Sequence, residues 1–203
     1  MVFLGLDFII SSLALILVCS YILYIYREQV FRFFYKENNF NLFIRNIKQY
    51  LDVKYPKIKF DFKIVEDSKP EENPQTRCYL VINNLVLQYT NYELDTSNTN
   101  LSIQHNQLWN SYTFNSRPSG NKLPDDWAKR KNIAYQRDHG NCQRCGTHTK
   151  IETAHLYIVK PIEDGGQYYL ENLITLCRDC DKITTNSNLK YLDIMDKLNS
   201  FVK

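Results

Sequence analysis

Four of the six cysteines in this 203-residue chain fall into two C-x2-C pairs, Cys142-Gln143-Arg144-Cys145 and Cys177-Arg178-Asp179-Cys180. The spacing within a pair turns both thiolates to one side, and the 31 residues between the pairs let the four sulfurs meet tetrahedrally around one structural Zn2+. Gly146 relaxes the turn after the first pair. Two disulfides, or thioredoxin-like redox pairs, would use the same residues. The doubled motif argues against redox pairs, and the cytosolic placement expected from the N-terminal segment argues against disulfides. A structural metal also meets a need: a segment of about 70 residues has little core with which to hold itself together.

The residues around the pairs extend the pattern. Trp127, then Ala134-Tyr135-Gln136-Arg137-Asp138-His139-Gly140-Asn141-Cys142, then Pro161-Ile162-Glu163-Asp164-Gly165-Gly166, then Leu170-Glu171-Asn172-Leu173-Ile174-Thr175-Leu176-Cys177 complete it. Together they resemble the zinc-containing branch of the HNH endonuclease family over residues 127–185. The resemblance implies a ββα-metal unit with the cysteine pairs holding zinc behind it. It further implies a His general base on the first strand, and a divalent metal held by the residue before that base and by a His after the last cysteine. An Asn in the NL step would orient the loop. General-base and Lewis-acid groups of this kind each contribute orders of magnitude to phosphodiester cleavage.

In this sequence those positions are largely substituted. Counting back without gaps from Pro161 and Gly165-Gly166 puts the ligand and the base on Tyr157 and Ile158, which can do neither job, and Asp181 stands where the family has His. A second register takes residues 151–156 as the strand and makes His155 the base, with a three-residue insertion before Pro161 and Ala154 in place of the first ligand. The unbroken register is favoured, since a register shift in a period-2 strand turns side chains to the wrong face. The remaining chemistry rests on His155, Asn172 and Asp181, the last an oxygen donor suited to Mg2+ or another divalent metal if the domain is active. A non-enzymatic zinc module binding nucleic acid or protein is the alternative.

Charge supports a nucleic-acid partner. Eight Lys/Arg against three Asp lie between Arg117 and Lys150, a local +5 in a chain whose formal charge is +3. Lys129, Arg130, Lys131, Arg137 and Arg144 are the expected phosphate contacts, with DNA the expected polymer. A solvated basic helix face from Asp126 to Arg137 would account for the same residues. Downstream, Leu189, Leu192, Met195 and Leu198 recur at helical spacing and predict a terminal helix packed on the unit.

Ahead of this unit the chain changes character. Phe8 to Tyr26 carries no charge for 19 residues, enough for a helix of roughly 28 Å, and reads as a membrane-spanning anchor. The absence of a basic stretch before it and of an A-x-A site after it argues against a signal peptide. Arg27, Arg32, Lys36 and Arg45 follow the run and would place the C-terminal side in the cytosol as a single-pass membrane protein, with aromatics from Tyr21 to Tyr35 at the headgroups.

Leu42, Ile44, Ile47 and Leu51 predict a helix over 41–51 with Asn41 as its N-cap. Strict alternation over Lys57–Ile64 predicts a strand, and Arg77–Ile82 with Leu85–Tyr89 across Asn83-Asn84 predicts a hairpin. The expected class is therefore α+β, in four parts: 1–37 an anchor with its juxtamembrane segment, 38–94 an α-β-β-β module of no assigned role, 95–120 a connector, and 121–203 the HNH-like zinc-binding domain. Leu108, Trp109, Tyr112 and Phe114 would tie the connector to a neighbouring surface. The chain length excludes a large multidomain enzyme, and only six Gly and six Pro exclude a low-complexity or collagen-like chain.

Overall fold

The computed structural model describes residues 2–27, 32–95, 102–103, 108–114, 122–187 and 189–202, with side chains from Ser11 to Arg27 and from Asn39 onward. The side chains of Phe31 to Lys36, and Arg117, lie outside the described residues. The chain forms two compact units, Met1–Arg45 and Asn46–Lys203.

Helix α1 (Val2–Ile25) opens the first unit. No helix among the described residues is long and apolar enough to cross a membrane. That overturns the anchor expected over 8–26, and with it the single-pass membrane location and the cytosolic orientation.

Helix α2 (Arg32–Lys54) continues across the boundary between the units. It begins well before Asn41, which is therefore an interior residue and not the expected cap. In its part within the second unit, Ile47 and Leu51 are fully buried, followed by Tyr55 beyond the helix end. This i, i+4, i+8 spacing gives the unit a single apolar stripe.

The three expected strands of the middle region are absent. Residues 77–89 lie within one helix, α4 (Pro74–Asn91), which follows the short α3 (Lys63–Asp67). Asn73 caps α4 by accepting from Gln75 N at 3.0 Å, and Pro74 occupies the first turn, where a missing N–H costs nothing. Its buried residues Cys78, Val81, Ile82, Leu85, Val86 and Tyr89 recur at three and four. Leu87, which a strand would place beside Leu85 and Tyr89, is 57% exposed. Asn83 and Asn84 are helical, so no turn forms there.

With no hairpin to pair with, Lys57–Phe62 forms no strand either. The Gln88 side chain takes the place of a neighbouring strand, accepting from Asp61 N at 2.7 Å and donating to Asp61 O at 2.7 Å. Alternation alone cannot make a ladder; backbone groups need a partner, and here a helix supplies one through an amide.

The remainder of this unit matches the expected α+β class. Helix α5 (Trp127–Arg137) leads into the first cysteine pair. Strand β1 (His155–Ile158) pairs antiparallel with β2 (Leu173–Leu176), joining His155 to Leu176 and Ile158 to Leu173. Helix α6 (Arg178–Thr184) follows β2 directly, and α7 (Asp193–Asn199) closes the chain against α4. The terminal helix is shorter than expected: Leu192 and Leu198 are buried, but Leu189 is exposed in a separate 3-10 turn, residues 189–191.

Candidate metal centre and nuclease-like site

The sulfur atoms of Cys142, Cys145, Cys177 and Cys180 lie within 4.8 Å of one another. Three of these cysteines are completely buried, and Cys177 is partly open. Gly146, at φ +83°, makes the turn after the first pair, and a Cβ there would meet the Pro56 ring at 2.8 Å. The first knuckle is thus pressed against the segment leaving α2, where Lys57 N donates to Cys145 O at 3.3 Å.

Four thiols so close cannot all ionise without a cation among them. Contacts with Cys142, Cys177 and Cys180 hold the Cys145 thiol well below the usual range. Contacts with Cys142 and Cys145 push Cys177 and Cys180 far up. A divalent ion removes this conflict by displacing the remaining protons, which is the chemistry a zinc tetrathiolate supplies. The donor set therefore fits a structural zinc.

A second layer surrounds the sulfurs, and part of it comes from the region expected to be strands. Tyr89 on α4 places its hydroxyl 3.3 Å from Cys180 Sγ and 3.9 Å from Cys177 Sγ. Arg144, fully buried between the first two cysteines, donates to Cys180 Sγ at 3.3 Å and to the carbonyls of Tyr89, Thr90 and Tyr92 at 2.6, 3.1 and 2.6 Å. Its guanidinium also stacks over the Tyr89 and Tyr92 rings. A tetrathiolate zinc site carries net negative charge, and a buried guanidinium bound to one of its sulfurs offsets part of it. Tyr89 was not recognisable as part of the site while its segment read as a strand; the three-and-four repeat from Cys78 was the signal for it.

The same reasoning corrects the expected phosphate contacts. Arg144 is committed to the fold. Arg130 is 0% exposed and binds Asp126 at 2.6 Å, Tyr168 O at 2.6 Å and Thr113 O at 3.1 Å, with its guanidinium over the Trp109 and Tyr112 rings. This is how residues 108–114 of the connector are held. Arg137 donates to Leu170 O and Leu173 O at 2.9 and 2.6 Å, and Asp138 accepts from Thr175 N at 2.8 Å. The Arg-Asp pair thus caps the outer edge of β2. Of the five, Lys129 is exposed and Lys131 half-buried.

At the junction of β1 and α6, His155 Nδ1 lies 3.2 Å from Asp181 Oδ2, with side chains 45% and 25% exposed. The group that reaches α6 is thus His155, the first residue of β1. Ile158, where the unbroken register placed the base, lies opposite Leu173 at the other end of the hairpin. Asn172 does not join this pair. Its carbonyl accepts from Lys160 N at 2.7 Å, and its amide donates to Lys160 O and Gln167 O at 3.0 and 2.8 Å. Those bonds close the loop between the strands, with Gly166 beneath it, where a Cβ would meet Lys160 O at 1.9 Å.

Residues 142–187 match the family model described as HNH endonuclease. Over this segment the chain is similar to the HNH endonuclease family. No curated protein and no solved structure matches the chain. The HNH match spans both cysteine pairs, both strands and α6, so the family assignment covers the zinc cluster and the His155–Asp181 pair together. That likeness supports nuclease-like nucleic-acid binding at the family level. Among the described residues the four cysteines are the one group of three or more metal-ligating side chains. His155 and Asp181 alone do not make a protein-built shell for a second metal.

Proposed function

We propose that the HNH domain is a DNA endonuclease whose working pair is His155 and Asp181. The observation that carries this reading is the 3.2 Å contact joining the first residue of β1 to α6. A carboxylate that accepts from Nδ1–H fixes the imidazole tautomer and leaves Nε2 as a base toward solvent, where it can take a proton from an attacking water. Asn172 acts as a positioning residue, holding the loop that follows β1. A divalent ion such as Mg2+ would supply Lewis-acid stabilisation of the phosphate. One carboxylate and one imidazole do not hold it without the substrate's own oxygens and water, so no step is assigned through it.

The shortage of metal ligands favours a second reading, a zinc module that binds DNA without cutting it. Plasmid nicking by the full chain with Mg2+, Mn2+ or Ni2+ separates the two. The expected result is cleavage by the wild-type protein and a fall of about 100-fold or more with His155→Ala, at unchanged zinc content. Cleavage that survives this substitution intact would remove His155 from the reaction. No cleavage with any of the three ions, from protein carrying one zinc per chain, would establish the non-cutting module.

A further inference from the structure

We infer that the cleft between the first knuckle and α6 is the track for the DNA backbone next to the bond being cut. This rests on the nucleic-acid reading of the HNH domain. The cleft encloses about 350 Å³ and is lined by Lys54, Lys150, Arg178, Thr149 and Thr153, with Tyr55 and Tyr89 also contributing. Its three cations come from three separate places: the end of α2, the turn before β1, and the start of α6.

Four observations point to phosphate. First, Lys54, Lys150 and Arg178 are all exposed, and among the described residues none of their side chains makes an ion pair or side-chain hydrogen bond. They differ in this from Arg130, Arg137 and Arg144, whose donors are consumed internally. Second, the opposing acids are few. Asp179 is buried and spends its carboxylate on Asp193 N and Ile194 N at 2.8 and 3.0 Å. That leaves Asp193 as the one carboxylate lining the cleft without such backbone bonds. Cys177 also lines it, its sulfur 3.9 Å from the Tyr89 hydroxyl.

Third, the walls are fixed. Thr147 donates to Lys54 O at 2.6 Å, and Lys57 Nζ donates to Gln143 O at 2.9 Å, so the end of α2 is held to the knuckle. The hydroxyls of Thr149 and Thr153 sit 3.2 Å apart on the opposite wall. Fourth, both walls run directly into the proposed reaction centre. Thr153 lies two residues before His155, and Arg178 lies three residues before Asp181 on the same helix, one turn away. A strand whose phosphates are neutralised by Lys150 and Arg178 would present its next phosphate to the His155–Asp181 pair.

The test is equilibrium binding of a fluorescently labelled DNA duplex to the full chain over a range of salt. It compares wild type with Lys54→Gln/Lys150→Gln/Arg178→Gln and with Lys129→Gln/Lys131→Gln on α5. The expected result is that the cleft variant binds at least 10-fold more weakly, with the slope of log affinity against log salt reduced by about 2 to 3, while the α5 variant changes less than 3-fold. Zinc content and circular dichroism matching wild type show that the cleft variant is folded; Arg178→Gln alone, a single exposed substitution, is measured beside it and should lose about one unit of slope. If wild type binds and both cleft variants bind equally well, the track is elsewhere and the nucleic-acid reading stands. If wild type does not bind DNA, that reading and this inference fall together.

Discussion

Residues 122–202 surround their two strands with bonds made by single groups of one chemical type, whereas residues 46–92 are held by repeats of interchangeable apolar side chains. Asp138 caps Thr175 N, Asn172 ties Lys160 to Gln167, and four sulfurs gather into one candidate metal site. On α2 and α4, by contrast, Ile47, Leu51, Val81, Ile82 and Leu85 fill volume, and a different aliphatic set of the same size would serve. The two regions meet at Tyr89 and Arg144, where a helix enters the outer layer of the sulfur cluster. The contrast predicts that the metal half depends on its ion and that the helical half, packed on it through Tyr89, loses order with it.

Removing the metal should have the largest effect. Structural zinc sites contribute about 10 kcal/mol or more of apparent folding free energy, comparable to the about 5–15 kcal/mol that holds a whole domain folded. Chelation, or Cys145→Ser, is expected to abolish exchange protection in α4 together with that of β1 and β2, read by hydrogen exchange on peptides covering residues 78–89. If α4 stays protected while the strands open, the two regions fold separately and the comparison fails.

Arg144→Met sharpens it from within. The substitution keeps the volume but leaves the carbonyls of Tyr89, Thr90 and Tyr92 without their donor and the sulfurs without their buried cation. A loss of about 3–5 kcal/mol is expected in chemical denaturation. A loss under about 1 kcal/mol would mean that water replaces the guanidinium and that the outer layer is decoration.

This contrast explains what could be read from the residues alone. The cysteine pairs, the Arg-Asp pair, Asn172 and the Gly165-Gly166 turn are visible because type and spacing together are rare. The helix over 74–91 is hidden because an apolar run of that length satisfies period 2 and period 3.6 alike, and Asn83-Asn84 supplies a plausible turn. The cap at Asn73 followed by Pro74 was the discriminating signal. Burial of Arg130, Arg137 and Arg144 was not readable at all: a cation's partners here are backbone carbonyls, which leave no trace in composition. The contact of His155 with Asp181 depends on which strand residues pair, and spacing along the chain does not give that register.

The smallest effect is also the cleanest discriminator between a helix and a hairpin in the middle region. In a strand over 85–89, Leu85 and Leu87 would share one face and matter equally. On α4 they point apart, Leu85 at 0% exposure and Leu87 at 57%. Leu85→Ala should then cost about 2–5 kcal/mol through lost burial and a cavity, and Leu87→Ala less than about 0.5 kcal/mol. Thermal or urea unfolding of the two variants measures this directly. Equal losses would restore the strand. Unequal losses in the stated order locate the core stripe on the same side of α4 as Tyr89, and hence make the helical half the wall on which the sulfur cluster leans.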